Sequence, residues 1–178
     1  MNRDISPQYI NTLLFDRLEL SIQEKKIIKD FQDFFYCKHN YQILVQFINN
    51  HNNISLRVID YFLTNYCLIN RVFINDIDVY QSYKLQLHIF HKKFFDPCSR
   101  GLRIPFFYNN DKCILTTVCQ LNFFKWFIKN NIYLYVLDNY KIIKTHMKNN
   151  KHKNKSTYFK DNIISKKITK NNISISFD

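Results

Sequence analysis

IDVYQSYKLQLHIFHKKFF covers residues 77–95, and DPCSRGLRIPFFYNNDKCILTTVCQLNFFKW carries on from 96 to 126. In the first part Tyr80, Tyr83, Leu87, Phe90 and Phe94 recur in steps of three and four, which predicts an amphipathic helix over 77–95. Asp96-Pro97 ends it, because the residue before a proline is pushed out of the α region. Leu102–Tyr108 then reads as a strand and Asn109–Lys112 as a turn. Cys113–Thr116 reads as the returning strand, placing a β-hairpin near 102–116. Thr117 is placed to cap the next helix, with Gln120 completing a capping box, and that helix carries Leu121, Phe124, Trp126, Phe127 and Ile128.

Outward from this stretch the pattern is helical. Residues 8–36 read as two helices broken near Ser21, which would cap the second with Glu24 three residues on. Tyr41–Ile48 suggests a further helix. Ser55 is expected to cap another, with Val58, Ile59, Phe62, Leu63 and Tyr66 as its core stripe. After Asn130-Asn131 a last helix carries Ile132, Val136, Tyr140, Ile143 and Met147. From Lys148 the chain is polar and basic, so residues 148–178 read as a mostly disordered cationic tail. The expected fold is mainly α (α+β): one helical domain over 1–147 with a small β-hairpin. A winged-helix arrangement would satisfy this order, with 77–95 as recognition helix and Asn109–Lys112 at the wing tip.

A hydrophobic share of 46% suits a single core in a chain of 178 residues. The composition is skewed to 22 Asn, 24 Ile and 20 Lys with no Ala and one glycine, as A/T-rich codons would give. That bias accounts for many lone lysines but not for where they lie. Residues 1–78 carry a net charge of −1, residues 79–140 carry +5, and residues 141–178 carry +8. Such asymmetry points to an anionic partner. Gly101, the one glycine, is expected at a positive φ or a close backbone approach.

Blocks of this sequence resemble an uncharacterised protein family of nucleocytoplasmic large DNA viruses, with members in mimivirus-like and phycodnavirus-like giant viruses. The blocks are ISLRVIDYFLTNY at 54–66, the Tyr83-Lys84-x-Gln86-Leu87 step, KKFFDP at 92–97, Arg103-Ile104, and TTVCQLNFFKW at 116–126. They keep their order across residues 54–147. Two departures stand out. The family block has glycine where Cys119 stands, and a bulkier, more basic segment where Cys98-Ser99-Arg100-Gly101 follows Asp96-Pro97. The resemblance implies a viral protein made in an infected eukaryotic cell, and it brings no activity or site residues with it.

The candidate nucleic-acid contacts are Lys84, His88, His91, Lys92, Lys93, Arg100 and Arg103, interleaved with tyrosines and phenylalanines. Cations neutralise phosphates, and exposed rings stack on unpaired bases. An ordinary solvated helix face would look much the same, and the regional charge imbalance favours function. Other chemistry is less well supported. Cys37, His39, His88, His91, Cys98, Cys113 and Cys119 are ligand types for zinc, but without finger or ribbon spacing. Asp76-x-Asp78 sits where it would favour a helix dipole rather than hold magnesium. No P-loop, nucleophile elbow or His-Glu-x-x-His is present.

The expectation is a non-enzymatic nucleic-acid-associated factor acting in viral transcription, replication or genome packaging, with no cofactor and no metal. Its partners would be DNA or RNA and other viral proteins, with no membrane, since no run approaches a spanning length. It would work inside an infected host cell, in a viral factory or the nucleus, or be packaged in the virion. The alternative is a protein-interaction subunit of a viral assembly that docks through an aromatic surface.

Overall fold

The computed structural model describes residues 6–109 and 111–150. Two helices open the chain, α1 (Pro7–Arg17) and α2 (Ile22–Tyr36). The break between them falls where the sequence places it. Ser21 accepts from the Glu24 amide, and the Glu24 carboxylate accepts from the Ser21 amide at 2.9 Å and its hydroxyl at 2.7 Å. Next come α3 (Lys38–Ile48) and α4 (Leu56–Tyr61), the latter continued by a π-helical turn (Phe62–Tyr66) and α5 (Cys67–Asn70). Ser55 stands at the N-cap of α4 but makes no side-chain cap bond, contrary to expectation. The π turn was not expected either; Thr64 bonds back to the Asp60 carbonyl at 2.8 Å just ahead of it.

Two short strands the sequence reading missed, β1 (Phe73–Ile74) and β2 (Ile77–Asp78), pair before α6 (Val79–Phe95). Asn75 and Asp76 between them both have positive φ, as a two-residue hairpin turn requires. Asp78 caps α6 by accepting from the Gln81 amide at 2.9 Å. The expected hairpin follows as β3 (Arg103–Asn109) and β4 (Lys112–Thr117), antiparallel, with Ile104 opposite Thr116 and Phe106 opposite Ile114. It leads into α7 (Val118–Lys129), α8 (Ile132–Asp138) and a helical run over 140–150, here α9. This last run passes Lys148, where the tail was expected to begin. The tail expectation otherwise lies outside the described residues.

Nine of the twelve residues of α7 are buried, so this helix runs through the centre and reaches the surface only along Gln120, Lys125 and Lys129. Phe123 is its hub, with Tyr83, Phe95, Phe124, Trp126 and Phe127 rings within 6.4 Å. Phe47 of α3 packs on Phe124 and Phe127, while Phe31 and Phe35 of α2 pack on Phe106 of β3. On the far side Tyr61 ties α9 to α4. Its hydroxyl lies 2.8 Å from His146 Nδ1 and accepts from Asn150 Nδ2 at 2.7 Å.

The hairpin is fixed to α1 by one buried amide. Asn11 is fully buried, and its side chain pairs with the strand as a peptide group would. Oδ1 accepts from the Phe107 amide at 2.9 Å, and Nδ2 donates to the Phe107 carbonyl at 2.7 Å and to the Tyr36 hydroxyl at 3.0 Å. Asn11→Leu strands these groups and is expected to cost on the order of 3 kcal/mol in urea denaturation. Asn11→Asp is expected to cost at least as much, because a carboxylate then faces the Phe107 carbonyl. A loss below about 1 kcal/mol for either variant would show that the pairing contributes little.

Candidate nucleic-acid interface

Helix α6 presents the first cations. Lys84 and His88 are one turn apart on its solvent side, and both are exposed. The Lys84 ammonium rests 6.0 Å from the Tyr80 ring centre. At His91 the helix breaks: φ is 61° and ψ is 159°, outside helical geometry and in a region L residues rarely occupy. The spacing that would line up Lys84, His88, His91 and Lys92 on one face therefore stops at His91. The straight helix needed for a winged-helix recognition element is interrupted at the same point.

Beyond the break the cations divide. Lys92 lies in the field of Asp60, whose carboxyl is raised above its ordinary range by burial and by Asp96, with Lys92 opposing. Lys93 sits 5.2 Å from the Phe94 ring centre and lines an open groove of about 450 Å³ with Arg100 and Gly101. Thr117, Val118 and Cys119, at the start of α7, form the groove's other wall. Arg103 is exposed and pairs across the hairpin with Thr117. Glu24 also lines the groove, but its carboxylate is already engaged by Ser21. All seven candidate cations are exposed, and none forms an ion pair among the described residues, where Lys125–Asp30 is the one salt bridge. The structure thus brings Lys93 and Arg100 into one groove with Arg103 beside it. Lys84, His88 and His91 do not line that groove.

The loop that carries Arg100 is anchored from below. The Cys119 thiol donates to the Asp96 carbonyl at 2.8 Å, and Ser99 N–H donates to the same oxygen at 2.9 Å. Burial pushes the Cys119 thiol up to about 12 and, with Asp60 and Asp96, the Cys98 thiol up to about 11. Both stay protonated at neutral pH, unsuited to nucleophilic work. Thr117 caps α7 as expected, accepting from the Gln120 amide at 3.1 Å. The Gln120 side chain does not close the box. It accepts from Thr116 at 3.0 Å and donates to the Pro97 carbonyl at 3.3 Å. Among the described residues no three His, Cys, Asp or Glu side chains gather as a metal site would need.

The interleaved aromatics are drawn inward to different depths. Tyr83 and Trp126 are buried in the core around Phe123, and Tyr41, Tyr61, Tyr80, Phe90 and Phe107 are half-buried. On α6 and α7 the helical spacing of the aromatics marks the inner face. Gly101 also departs from expectation. Its φ is not positive, and a Cβ placed there would meet Thr117 at an ordinary 3.7 Å. The positive-φ positions belong to other residues, and among the described residues Asn or Asp fills five of the seven. Missed by sequence reasoning were Thr117–Cys119 as a groove wall and the half-buried polar face of Ser82 and Gln86. The second could have been found from its i, i+4 spacing between the apolar stripe and the cations.

Residues 15–178 match the model of a family of unknown function, DUF7197. The chain belongs to that family. It is 33% identical over 147 residues to an uncharacterized protein of Acanthamoeba polyphaga mimivirus, an alignment covering 75% of this chain and 57% of the relative. The chain thus spans little more than half the length of that viral protein. The expected likeness to an uncharacterised giant-virus family is therefore borne out. No solved structure matches the chain. Among the described residues, no helix is long and apolar enough to cross a membrane.

Two substitutions test this reading of the loop. Gly101→Ala is expected to leave stability unchanged or to raise it by up to about 1 kcal/mol, through a less flexible unfolded chain. His91→Gly is expected to gain about 1 kcal/mol by relieving the break. Thermal unfolding reads both. Destabilisation by Gly101→Ala would mean the loop needs glycine after all.

Proposed function

We propose that this chain is a non-enzymatic nucleic-acid-associated factor of a large DNA virus, acting in transcription, replication or genome packaging by docking on phosphate. The observation that carries the reading is the set of exposed cations along α6 and the following loop that no carboxylate pairs with, densest where Lys93 and Arg100 line the groove at the start of α7. Cations left unpaired at a surface are free to displace counterions from a polyanion. The first peptide groups of α7 add partial positive charge on the same wall. The excess of positive charge in residues 79–178 over residues 1–78 supports the reading, as does the likeness to a mimivirus protein. Because Tyr83 and Trp126 are buried and the α6 cations are exposed, this docking is chiefly with the backbone of the nucleic acid, and it is weakly selective for sequence. The place of action is a viral factory or the nucleus of the infected cell, or the virion.

A second reading, an interaction subunit of a viral assembly, draws on Leu85 and Ile89. These are 55% and 53% exposed and one turn apart beside Lys84 and His88. The docking strip would then be aliphatic rather than aromatic.

The salt dependence of binding to duplex DNA tests the first reading. The combined variant Lys84→Gln, Lys93→Gln, Arg100→Gln is expected to weaken binding. If all three touch phosphate, the slope of log affinity against log salt should become shallower by about 2.7. An unchanged slope would remove the phosphate contacts. Should Leu85→Gln with Ile89→Gln abolish association with a viral protein while DNA affinity holds, the second reading gains its footing.

A further inference from the structure

Between α6 and α7, on the flank of α6 away from Lys84 and His88, lies a cavity of about 280 Å³ that opens to solvent. Ser82, Gln86 and Phe90 line it from α6 at successive turns, and Asn122, Trp126 and Lys129 from α7. Asn122 is only 5% exposed, and its Nδ2 donates to the Phe94 carbonyl at 3.0 Å, which fixes the orientation of the amide. Oδ1 must then point the other way. It has no partner among the described residues, and it is not among the atoms sealed from solvent, so it opens on the cavity. A buried acceptor left without a donor is costly unless a ligand or water supplies one.

The other walls are complementary in kind. Ser82 Oγ accepts from Trp126 Nε1 at 3.1 Å, leaving the hydroxyl proton free to donate into the cavity. Gln86 adds an amide without a protein partner among the described residues. The Phe90 ring is held flat against Phe95, with centres 5.9 Å apart at 12°, and gives an apolar wall. At one end Lys125 closes on Asp30 at 2.7 Å and neutralises it. At the rim Lys129 is exposed and unpaired among the described residues.

We infer that this cavity binds one amino-bearing nucleobase with its 5′-phosphate, adenine being the best fit. The exocyclic amine donates to Asn122 Oδ1, and the neighbouring ring nitrogen accepts from Ser82 or Gln86. The Phe90 ring covers the base, and Lys129 meets the phosphate. The volume admits one base and its sugar, not two. Guanine and hypoxanthine present a carbonyl where the amine is needed, so an acceptor would face an acceptor. The same chemistry is offered by a free mononucleotide and by an unpaired base in a strand.

Trp126, the one tryptophan of the chain, lines the cavity, so its fluorescence reads occupancy directly. AMP and a short oligoadenylate are the probes. Saturable quenching by AMP is expected, at least about ten-fold weaker with IMP, the size of one lost buried hydrogen bond. Quenching by the oligoadenylate alone would assign the site to unpaired bases in a strand and would equally support it. Gln86→Leu and Lys129→Glu, both away from the core, are expected to weaken AMP binding, and Lys129→Glu to leave adenosine unaffected. The Lys84, Lys93 and Arg100 variant should keep AMP binding intact, so failure of the phosphate-docking reading leaves this one standing. Absence of saturable quenching by either probe, equal affinity for IMP and AMP, or indifference to both variants would overturn it.

Discussion

Burial of most of α7 is the constraint the rest of the structure answers to. A helix with Leu121, Phe123, Phe124, Phe127 and Ile128 on one broad apolar face, and with only Lys129 exposed among its twelve residues, has little surface to give to water. It must be enclosed, and α2, α3, α6, α8 and the hairpin supply the enclosure. Phe123 meets ring partners from α6 and from its own helix, so its removal would leave a ring-sized void in the centre of the core. Much of the buried aromatic content gathers here. Rings facing Phe123 are committed to the core and are not available at the surface.

With the aromatics inside, the surface chemistry falls to lysine, arginine and amides. The cations collect where α6 ends and the hairpin begins because Asp96-Pro97 stops the helix there and the loop must cross the start of α7. Cys119 and Gln120 hold that crossing from beneath through the Asp96 and Pro97 carbonyls. Lys92 and Lys93 also favour the C-terminal end of α6 on purely structural grounds. Lys92 answers the half-buried Asp60, whereas Lys93 and Arg100 share their groove with the Glu24 carboxylate, which the Ser21 amide and hydroxyl hold without forming an ion pair to either cation.

What was legible in the sequence was what depends on neighbours along the chain. The Ser21–Glu24 box, the Thr117 cap, the stop at Asp96-Pro97 and the turn of the hairpin all involve residues within a few positions of one another. Asn11 was illegible because its partners, Phe107 and Tyr36, lie 96 and 25 positions away. The π turn at Phe62–Tyr66 and the break at His91 carry no local signal that propensity reports. Among the site residues, the cations were legible as a run of charge. That the rings between them pointed inward required knowing that α7 would be enclosed.

Glycine scarcity gives a second lesson in reading composition physically. An A/T-rich codon bias explains why asparagine is abundant, but not why it stands at Asn50, Asn53, Asn75 and Asn131, all with positive φ. Asparagine is among the few L residues that tolerate this region, because its short polar side chain can bond locally. A chain with one glycine has to turn its corners with something, and it does so with the residue its codons make plentiful. Asn122 shows the same residue in another setting, where half of the amide is committed to Phe94 and the other half faces a cavity. Asn11 shows what full commitment looks like, with both ends of the amide satisfied and the residue fully buried. The contrast between these two buried amides, one closed and one open, is what separates a structural lock from a place where a ligand can be read.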